Sequence, residues 1–255
     1  MSQLILSRRT MLRGLGTAIA LPVLDSMIPT RLLGAEAKAA AKAVAEGLPR
    51  ASTAAPVSDA DAPSYKAGER PDDFALIVSV EKPMDGPEAR YADRDAEAVH
   101  RHLLALGVPS RNILVLSGER AGRAGMEKYL ARWLPKNVNE NTRLFFYFAG
   151  NGSSDPKTGA AYLLPWDGDA GMLAATGYPL SRLYAMLGAR KVRSALAVID
   201  AGFSGAGPRT VPVPGRNAPS AKLDDGSSAV GDAVVLLAAS AGEGAGTLDE
   251  QKHGL

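Results

Sequence analysis

The sequence predicts an α/β domain whose sheet is mostly parallel and has helices on both faces. Apolar runs of strand length alternate along the chain with amphipathic helical patterns, an order typical of parallel strands joined by right-handed crossovers. The runs are continuously apolar, as in strands buried on both faces. With 255 residues and 46% hydrophobic side chains, the chain can form a sizeable core, which must be mainly aliphatic because aromatic residues make up only 5%.

Five strands are predicted from these apolar runs. They are Phe74–Val80, Asn112–Leu116, Leu144–Phe148, Ala195–Ile199 and Ala233–Ala239. A short extended piece is expected at Tyr162–Asp167.

Three amphipathic helices are predicted between the strands. The first begins at Asp95 and ends at Gly107, the second spans Met126–Leu134, and the third spans Leu180–Leu187 and ends at Gly188. We expect a long, exposed and mobile loop from Gly205 to Asp232, which is rich in glycine and proline.

The first 37 residues have the pattern of a twin-arginine export signal. Arg8 and Arg9 precede a short apolar run, and Ala35-Glu-Ala37 fits a cleavage site. We therefore expect export to the periplasm or the exterior, with a basic terminus or a membrane anchor as alternatives. The net charge of +2 lies within this segment, so nothing indicates a nucleic-acid partner.

Residues 38–73 are rich in Ala, Ser, Pro and Asp, and we interpret them as a flexible linker before a domain at 74–255. The chain has no cysteine. Disulfides, thiolate metal sites and a cysteine nucleophile are thereby excluded.

Two strand ends are the candidate ligand site, because open α/β sheets bind ligands at the carboxyl ends of their strands. The third strand is followed by Gly150-Asn-Gly152, and the fourth ends at Asp200 before Gly202.

From about Phe74 to Leu255 the chain resembles the caspase and metacaspase-like peptidases, particularly their bacterial branch. The resemblance rests on six motifs in order: Phe74-Ala-Leu-Ile-Val78, Ala92-Asp-Arg-Asp-Ala96, Phe145-Phe-Tyr-Phe-Ala-Gly-Asn-Gly152, Tyr162-Leu-Leu-Pro165, Asp200-Ala-Gly-Phe-Ser-Gly205 and His253-Gly-Leu255. It implies a three-layer αβα caspase-like fold. In the family His-Gly-Leu is followed by an aromatic residue and a further helix, so the domain is either truncated at Leu255 or lacks the cover of one sheet face.

The catalytic residues of that family are missing from this chain. Asn151 stands at the family's histidine position and Gly202 at its cysteine position. Removing such a nucleophile and base from a peptidase lowers the rate roughly 10⁶-fold. The resemblance therefore implies a pseudo-peptidase, a non-catalytic module that binds a peptide or a protein.

Other parts of the family's site have counterparts here. The resemblance assigns oxyanion-type backbone N–H groups to Gly152 and Gly202. It assigns the binding of a basic side chain to Asp95 and Asp200. The alternatives are that Asp95 caps its helix and that Asp200 binds loop amides. Arg94 is a candidate to fill the pocket from within.

Catalysis by other residues has weaker support. Ser204 lacks an evident base, since His100 and His102 are expected to be solvated and His253 matches a structural motif of the family. No cofactor or metal is expected. Calcium is an alternative by analogy, although Asp167, Asp169, Asp224 and Asp225 lack the spacing of a recognisable site. An active endopeptidase that cuts after basic residues, or a structural domain of a longer secreted protein, are the alternative functions.

Overall fold

The computed structural model describes residues 58–189, 191–205, 207–214, 233–240 and 243–254. Within these ranges the strands are β1 (Phe74–Ser79), β2 (Ile113–Ser117), β3 (Arg143–Ala149), β4 (Gly152–Ser154), β5 (Ala161–Leu163), β6 (Tyr178–Pro179), β7 (Ser194–Asp200), β8 (Val234–Leu237), β9 (Thr247–Leu248) and β10 (His253–Gly254). Five of them form the central sheet, in the order β2-β1-β3-β7-β8. All four pairings in this sheet are parallel. The predicted α/β class with a parallel sheet is confirmed.

Alternate residues of the central strands are buried in two separate apolar clusters, one on each face of the sheet. Leu76 and Val78 of β1 belong to one cluster, whereas Ala75 and Ile77 belong to the other. All four side chains are fully buried. Strands buried on both sides need apolar residues at every position, and this explains the continuous apolar runs of β1 and β3 in the sequence.

One face of the sheet is covered by α1 (Ala92–Ala105), which buries Ala92, Ala96 and Leu103 against β1 and β3. The helix begins three residues before the predicted start at Asp95. After it, Gly107 has a φ of +91° and lies so close to the carbonyl oxygen of Gly68 that no side chain would fit. Gly107 therefore ends the helical segment where the sequence predicted.

The other face is covered by α2 (Arg123–Lys128), a π-helical turn (Tyr129–Trp133), α3 (Leu134–Asn137) and, after the small α4 (Leu173–Thr176), by α5 (Leu180–Gly188). The predicted second helix is thus divided. The π-helical turn lies just before Pro135. Proline has no N–H to donate to a carbonyl of the preceding turn, so the regular α-helical hydrogen bonding is interrupted there. Helices lie on both faces of the sheet, as predicted.

Two small antiparallel sheets complete the described fold. β4, β5 and β6 pair in that order, and β9 pairs with β10. The predicted extended piece at Tyr162–Asp167 overlaps β5 only at its first two residues. β10 packs against α1 and so brings the end of the described chain to the first turn of that helix.

Residues 58–73 belong to the packed structure, although the sequence placed them in a flexible linker. A short 3₁₀ helix spans Asp59–Asp61 and is closed by a capping box with Ser58. The backbone N–H of Ala67 donates to the carbonyl of Ala105 at the end of α1, 2.6 Å away. The packed region therefore begins before Phe74, and these residues cover part of α1.

Candidate functional site

The ends of β3 and β7 adjoin at the carboxyl edge of the sheet. Ala149 pairs with Asp200, and the N–H of Gly150 donates to the carbonyl of Asp200 over 3.2 Å. Immediately beyond, Gly152 lies so close to the carbonyl of Gly202 that a side chain on Gly152 would collide with it. The two strand ends singled out in the sequence thus form one site, together with the first turn of α1.

Arg209 occupies this site with a side chain that has no exposed surface. Its Nη2 donates to Asp95 at 2.5 Å and to the carbonyl of Arg90 at 2.9 Å, and its Nη1 donates to Asp200. Burial alone would lower the pKa of Arg209, but the negative charges of Asp200 and Asp95 outweigh this effect and raise it. Burial, with the same two charges, raises the pKa of the neighbouring Tyr147 well above its usual value. The carboxylates hold a permanently charged guanidinium.

The main chain of Arg209 is bound as well as its side chain. Its carbonyl oxygen accepts the N–H of Gly202 at 2.8 Å and the N–H of Gly152 at 3.1 Å. These are the two amides to which the resemblance assigned an oxyanion-type role. Paired N–H groups that point at one oxygen stabilise negative charge on it. In this structure they hold the carbonyl of a peptide bond.

The segment after Arg209 continues along β4. Thr210 forms a parallel bridge with Gly152, and the N–H of Val211 donates to the carbonyl of Gly152 over 2.8 Å. The hydroxyl of Ser153 donates to the carbonyl of Val211 over 2.6 Å. The segment is bound as an added strand, the mode in which many domains bind extended peptides.

Arg209 has a φ of +57°, a left-handed conformation that is uncommon for a residue with a side chain. Such a conformation costs about 1–2 kcal/mol. It persists only where the surroundings determine it strongly. The ion pairs and the two hydrogen bonds to the carbonyl provide that constraint.

Polar groups of β10 also contact the carboxylate of Asp95. Nδ1 of His253 lies 2.6 Å from one carboxylate oxygen of Asp95, and the N–H of Gly254 donates to the other over 3.0 Å. Nε2 of His253 lies 3.5 Å from the buried carboxylate of Asp61. Burial raises the pKa of Asp61, but the hydrogen bond and charge of Arg94, with His253, outweigh it and hold that pKa below its usual value.

Two expectations about the charged residues of α1 are wrong. Arg94 does not enter the pocket, because its guanidinium pairs with Asp61. Asp95 is not the helix cap, because the N-cap position is Tyr91 and has no side-chain capping bond. Arg94 and Asp95 are consecutive in the helix and therefore point about 100° apart, so one cannot serve the other's pocket. For Asp200, the sequence suggested loop amides as partners, and the structure shows the guanidinium of Arg209.

Neither position at which the resemblance would place a catalytic residue offers a reactive group. The side-chain amide of Asn151 is buried and donates to the carbonyl of Pro87 over 2.7 Å. Gly202 lies so close to the bound segment that a Cβ there would be 3.2 Å from Cβ of Thr210 and 3.0 Å from the backbone nitrogen of Ala245. Glycine at 202 thus leaves room for Arg209 and Thr210.

The other histidines are more engaged than the sequence indicated. Nδ1 of His102 lies 2.8 Å from the hydroxyl of Tyr65, and its Nε2 lies 2.8 Å from the carbonyl of Ala60. His100 is half-buried, and burial lowers its pKa. The expectation that both are solvated surface residues is therefore wrong for His102, whose two ring nitrogens have partners, whereas His100 is partly exposed. Neither is paired with Ser204 in the hydrogen bonds described.

The aspartates considered for calcium have backbone partners. Asp167 accepts the N–H of Arg123, and Asp169 accepts the N–H of Gly171, each over 2.7 Å. Asp224 and Asp225 lie outside the described residues. Among the residues that the structure describes, no three His, Asp or Glu side chains cluster as metal ligands would.

The structure adds Arg209 and Asp61 to the residues proposed from the sequence. The signal for Arg209 was an arginine followed by Thr210, Val211, Pro212 and Val213, where β-branched residues interrupt a glycine- and proline-rich loop. The expectation that this loop is exposed is wrong at Arg209 and Thr210, which are both buried. The loop's residues 215–232 lie outside the described part.

In comparisons with known proteins, the chain matches no protein-family model and no curated protein significantly. Within the described ranges, no helix combines the length and the apolar character that crossing a membrane requires. The residues of the predicted export signal, 1–37, lie outside those ranges. The caspase-like assignment and the exported location therefore stay predictions.

Proposed function

We propose that this chain is a non-catalytic regulatory module of caspase-like type, exported from a bacterial cell, that binds an arginine-containing peptide segment. One observation supports this most directly. Two carboxylates and two backbone amides converge on the side chain and the carbonyl of a single arginine, which is a complete set of contacts for holding that residue. The position from which a nucleophile would attack is occupied by Gly202.

The charge arrangement favours arginine over lysine as the bound residue. Asp95 and Asp200 accept from different Nη atoms of the same guanidinium, and the carbonyl of Arg90 accepts a third bond. A planar guanidinium presents its donors in a fixed fork that matches these acceptors, whereas an ammonium is a compact charge without that fork. We expect lysine peptides to bind at least tenfold more weakly.

Isothermal titration calorimetry on the full chain tests the proposal, with Arg209→Gln vacating the pocket and Arg111→Gln as a control. Arg111 pairs with Glu69 at the surface, where both side chains are mostly exposed. An arginine peptide should bind the Arg209→Gln protein at least tenfold more tightly than wild type. A citrulline peptide should not bind, and adding Asp200→Asn should abolish binding. Failure of every arginine peptide to bind a folded Arg209→Gln protein contradicts the proposal.

A structural role is the second candidate, and the complete burial of the Arg209 side chain favours it. In that case the ion cluster holds the fold together and is never exchanged. Arg209→Gln would then lower the stability, but no arginine peptide would restore it. A rise in melting temperature upon addition of an arginine peptide distinguishes the two roles.

Proteolysis after basic residues is the remaining alternative, and nothing in the geometry favours it. Purified protein is incubated with arginine- and lysine-terminated fluorogenic peptides, with and without calcium. We expect no turnover. Turnover that disappears in Ser204→Ala would establish an enzyme and overturn the proposal.

A further inference from the structure

The residues that follow Arg209 rest on a small apolar cluster separate from the two faces of the central sheet. Val211 and Val213 pack against Leu164, Ala170 and Leu173. The prolines at 212 and 214 are exposed, whereas the two valines are half-buried. The segment therefore has the period of two expected of a strand with one face on the protein.

Main-chain hydrogen bonds fix the register of these valines relative to the arginine. The N–H of Gly152 donates to the carbonyl of Arg209, and the carbonyl of Gly152 accepts from the N–H of Val211. The hydroxyl of Ser153 donates to the carbonyl of Val211, and this third bond also opposes a shift of the segment along β4. A shift by one residue would turn both valines away from the apolar cluster. The spacing between the charged pocket and the apolar cluster is therefore set by β4.

We infer that the cleft recognises the sequence Arg-x-Val-x-Val, with a subsite for β-branched residues on the carboxyl side of the bound arginine. The occupant in this structure is the chain's own segment Arg209–Val213. The ligand that we infer is an extended segment of another protein that has the same pattern and binds as an added strand at the edge of β4. This inference rests on the proposed function and names the substrate class of the same site.

Binding of synthetic peptides to the full-length Arg209→Gln protein tests the inference. The parent peptide is Gly207–Val213, labelled with fluorescein and followed by fluorescence anisotropy. Serine at the position of one valine should weaken binding about fivefold, and serine at both about thirtyfold, as half-burial of each side chain implies. Alanine at the position of Pro212 is the matched control and should leave the affinity within about twofold, because that residue is exposed.

The outcomes separate the inference from the function on which it rests. If the double-serine peptide binds as tightly as the parent while citrulline in place of arginine abolishes binding, the inference is overturned and the proposed function stands. If no arginine peptide binds to the folded variant, both are overturned.

A second measurement needs no vacated pocket and applies even if Arg209→Gln fails to fold. In the native wild-type protein, trypsin should cut the Arg209–Thr210 bond slowly, because cleavage needs the segment to leave the site. Val211→Ser with Val213→Ser should speed this cut about thirtyfold, measured by mass spectrometry of the fragment ending at Arg209. Val234→Ser, at an exposed position of β8, is the matched control. Equal rates in the double variant and the control would overturn the inference.

Discussion

The replacement Arg209→Met tests whether the charged contacts of Arg209 hold its segment in the cleft. Methionine keeps much of the length and the apolar stem of the side chain but leaves Asp95 and Asp200 buried without their shared cation. Both carboxylates have less than a tenth of their side-chain surface exposed. Removing one partner of a buried ion pair typically costs about 3–5 kcal/mol, because the remaining charge is uncompensated.

We expect the free energy of unfolding to fall by about 3–5 kcal/mol at pH 7. The left-handed backbone at position 209 stays equally strained in the variant, because methionine also has a Cβ. For a domain of this size the corresponding loss in melting temperature is roughly 10 °C. Urea unfolding followed by far-UV circular dichroism and by the fluorescence of Trp133 and Trp166 measures the change.

Arg111→Met is the control, since its partner Glu69 is also mostly exposed. Such surface pairs contribute about 0–1 kcal/mol. A double-mutant cycle with Asp200→Asn then isolates the coupling, which should reach about 1.5–3 kcal/mol for groups in direct contact. If Arg209→Met costs no more than the control, or if the cycle is additive, the buried ion pairs do not hold the segment and the reasoning is refuted.

Three further predictions concern the residues around the cluster. Asp61→Asn should lower the free energy of unfolding at neutral pH, and this loss should shrink as pH falls below about 4. The reason is that a carboxyl whose pKa is lowered by folding stabilises the fold only while it is ionised. Urea unfolding between pH 3 and 7 measures the loss, and a loss that does not depend on pH contradicts the prediction. Gly254→Ala should cost about 2–3 kcal/mol, since its Cβ would collide with the ion pair between Asp200 and Arg209; a neutral change in thermal unfolding would be inconsistent with the packing described. Gly202→Ala should cost about 1–2 kcal/mol and speed tryptic cleavage at Arg209, because its Cβ would crowd Thr210; unchanged cleavage would show that the segment tolerates the contact.

Much of the central sheet was predictable because strands that are buried on both faces leave a local signal in the sequence. β1 and β3 are apolar at nearly every position, and this pattern persists whatever lies next to them in space. The faces of α1 and α5 were predictable for a similar reason, since helical spacing alone identifies the buried stripe. Exact helix starts were less accessible. α1 begins at Ala92 without a side-chain cap, so the usual signal was missing.

The site was predictable only in part, because its pieces come from distant parts of the chain. Asp95, Asp200, Gly152 and Gly202 stood out through their positions at strand ends and in the family motifs. Arg209 did not, since one of its two carboxylate partners, Asp95, lies 114 residues earlier and its own surroundings have the composition of an exposed loop.

The residues before β1 were misjudged for a related reason. Their composition is that of a linker, and one partly buried aromatic residue, Tyr65, is the main apolar contact they make with the core described. Asp61 instead holds them through its pairing with Arg94 and Arg101. Composition measures how much apolar surface a segment can bury, but it does not register ion pairs with a helix that follows later in the chain.

The absence of a side chain at Gly202 and the occupation of the cleft are physically connected. The N–H of Gly202 can approach the carbonyl of Arg209 to 2.8 Å while Thr210 lies where a Cβ would be only 3.2 Å away. A cysteine at this position would need further room for its sulfur beyond that Cβ, so the segment would have to shift or leave. The backbone amide that remains is sufficient to hold a carbonyl, since hydrogen bonding by an N–H requires no side chain. Glycine at 202 therefore lets the bound segment lie closer to this backbone amide than a residue with a side chain would allow.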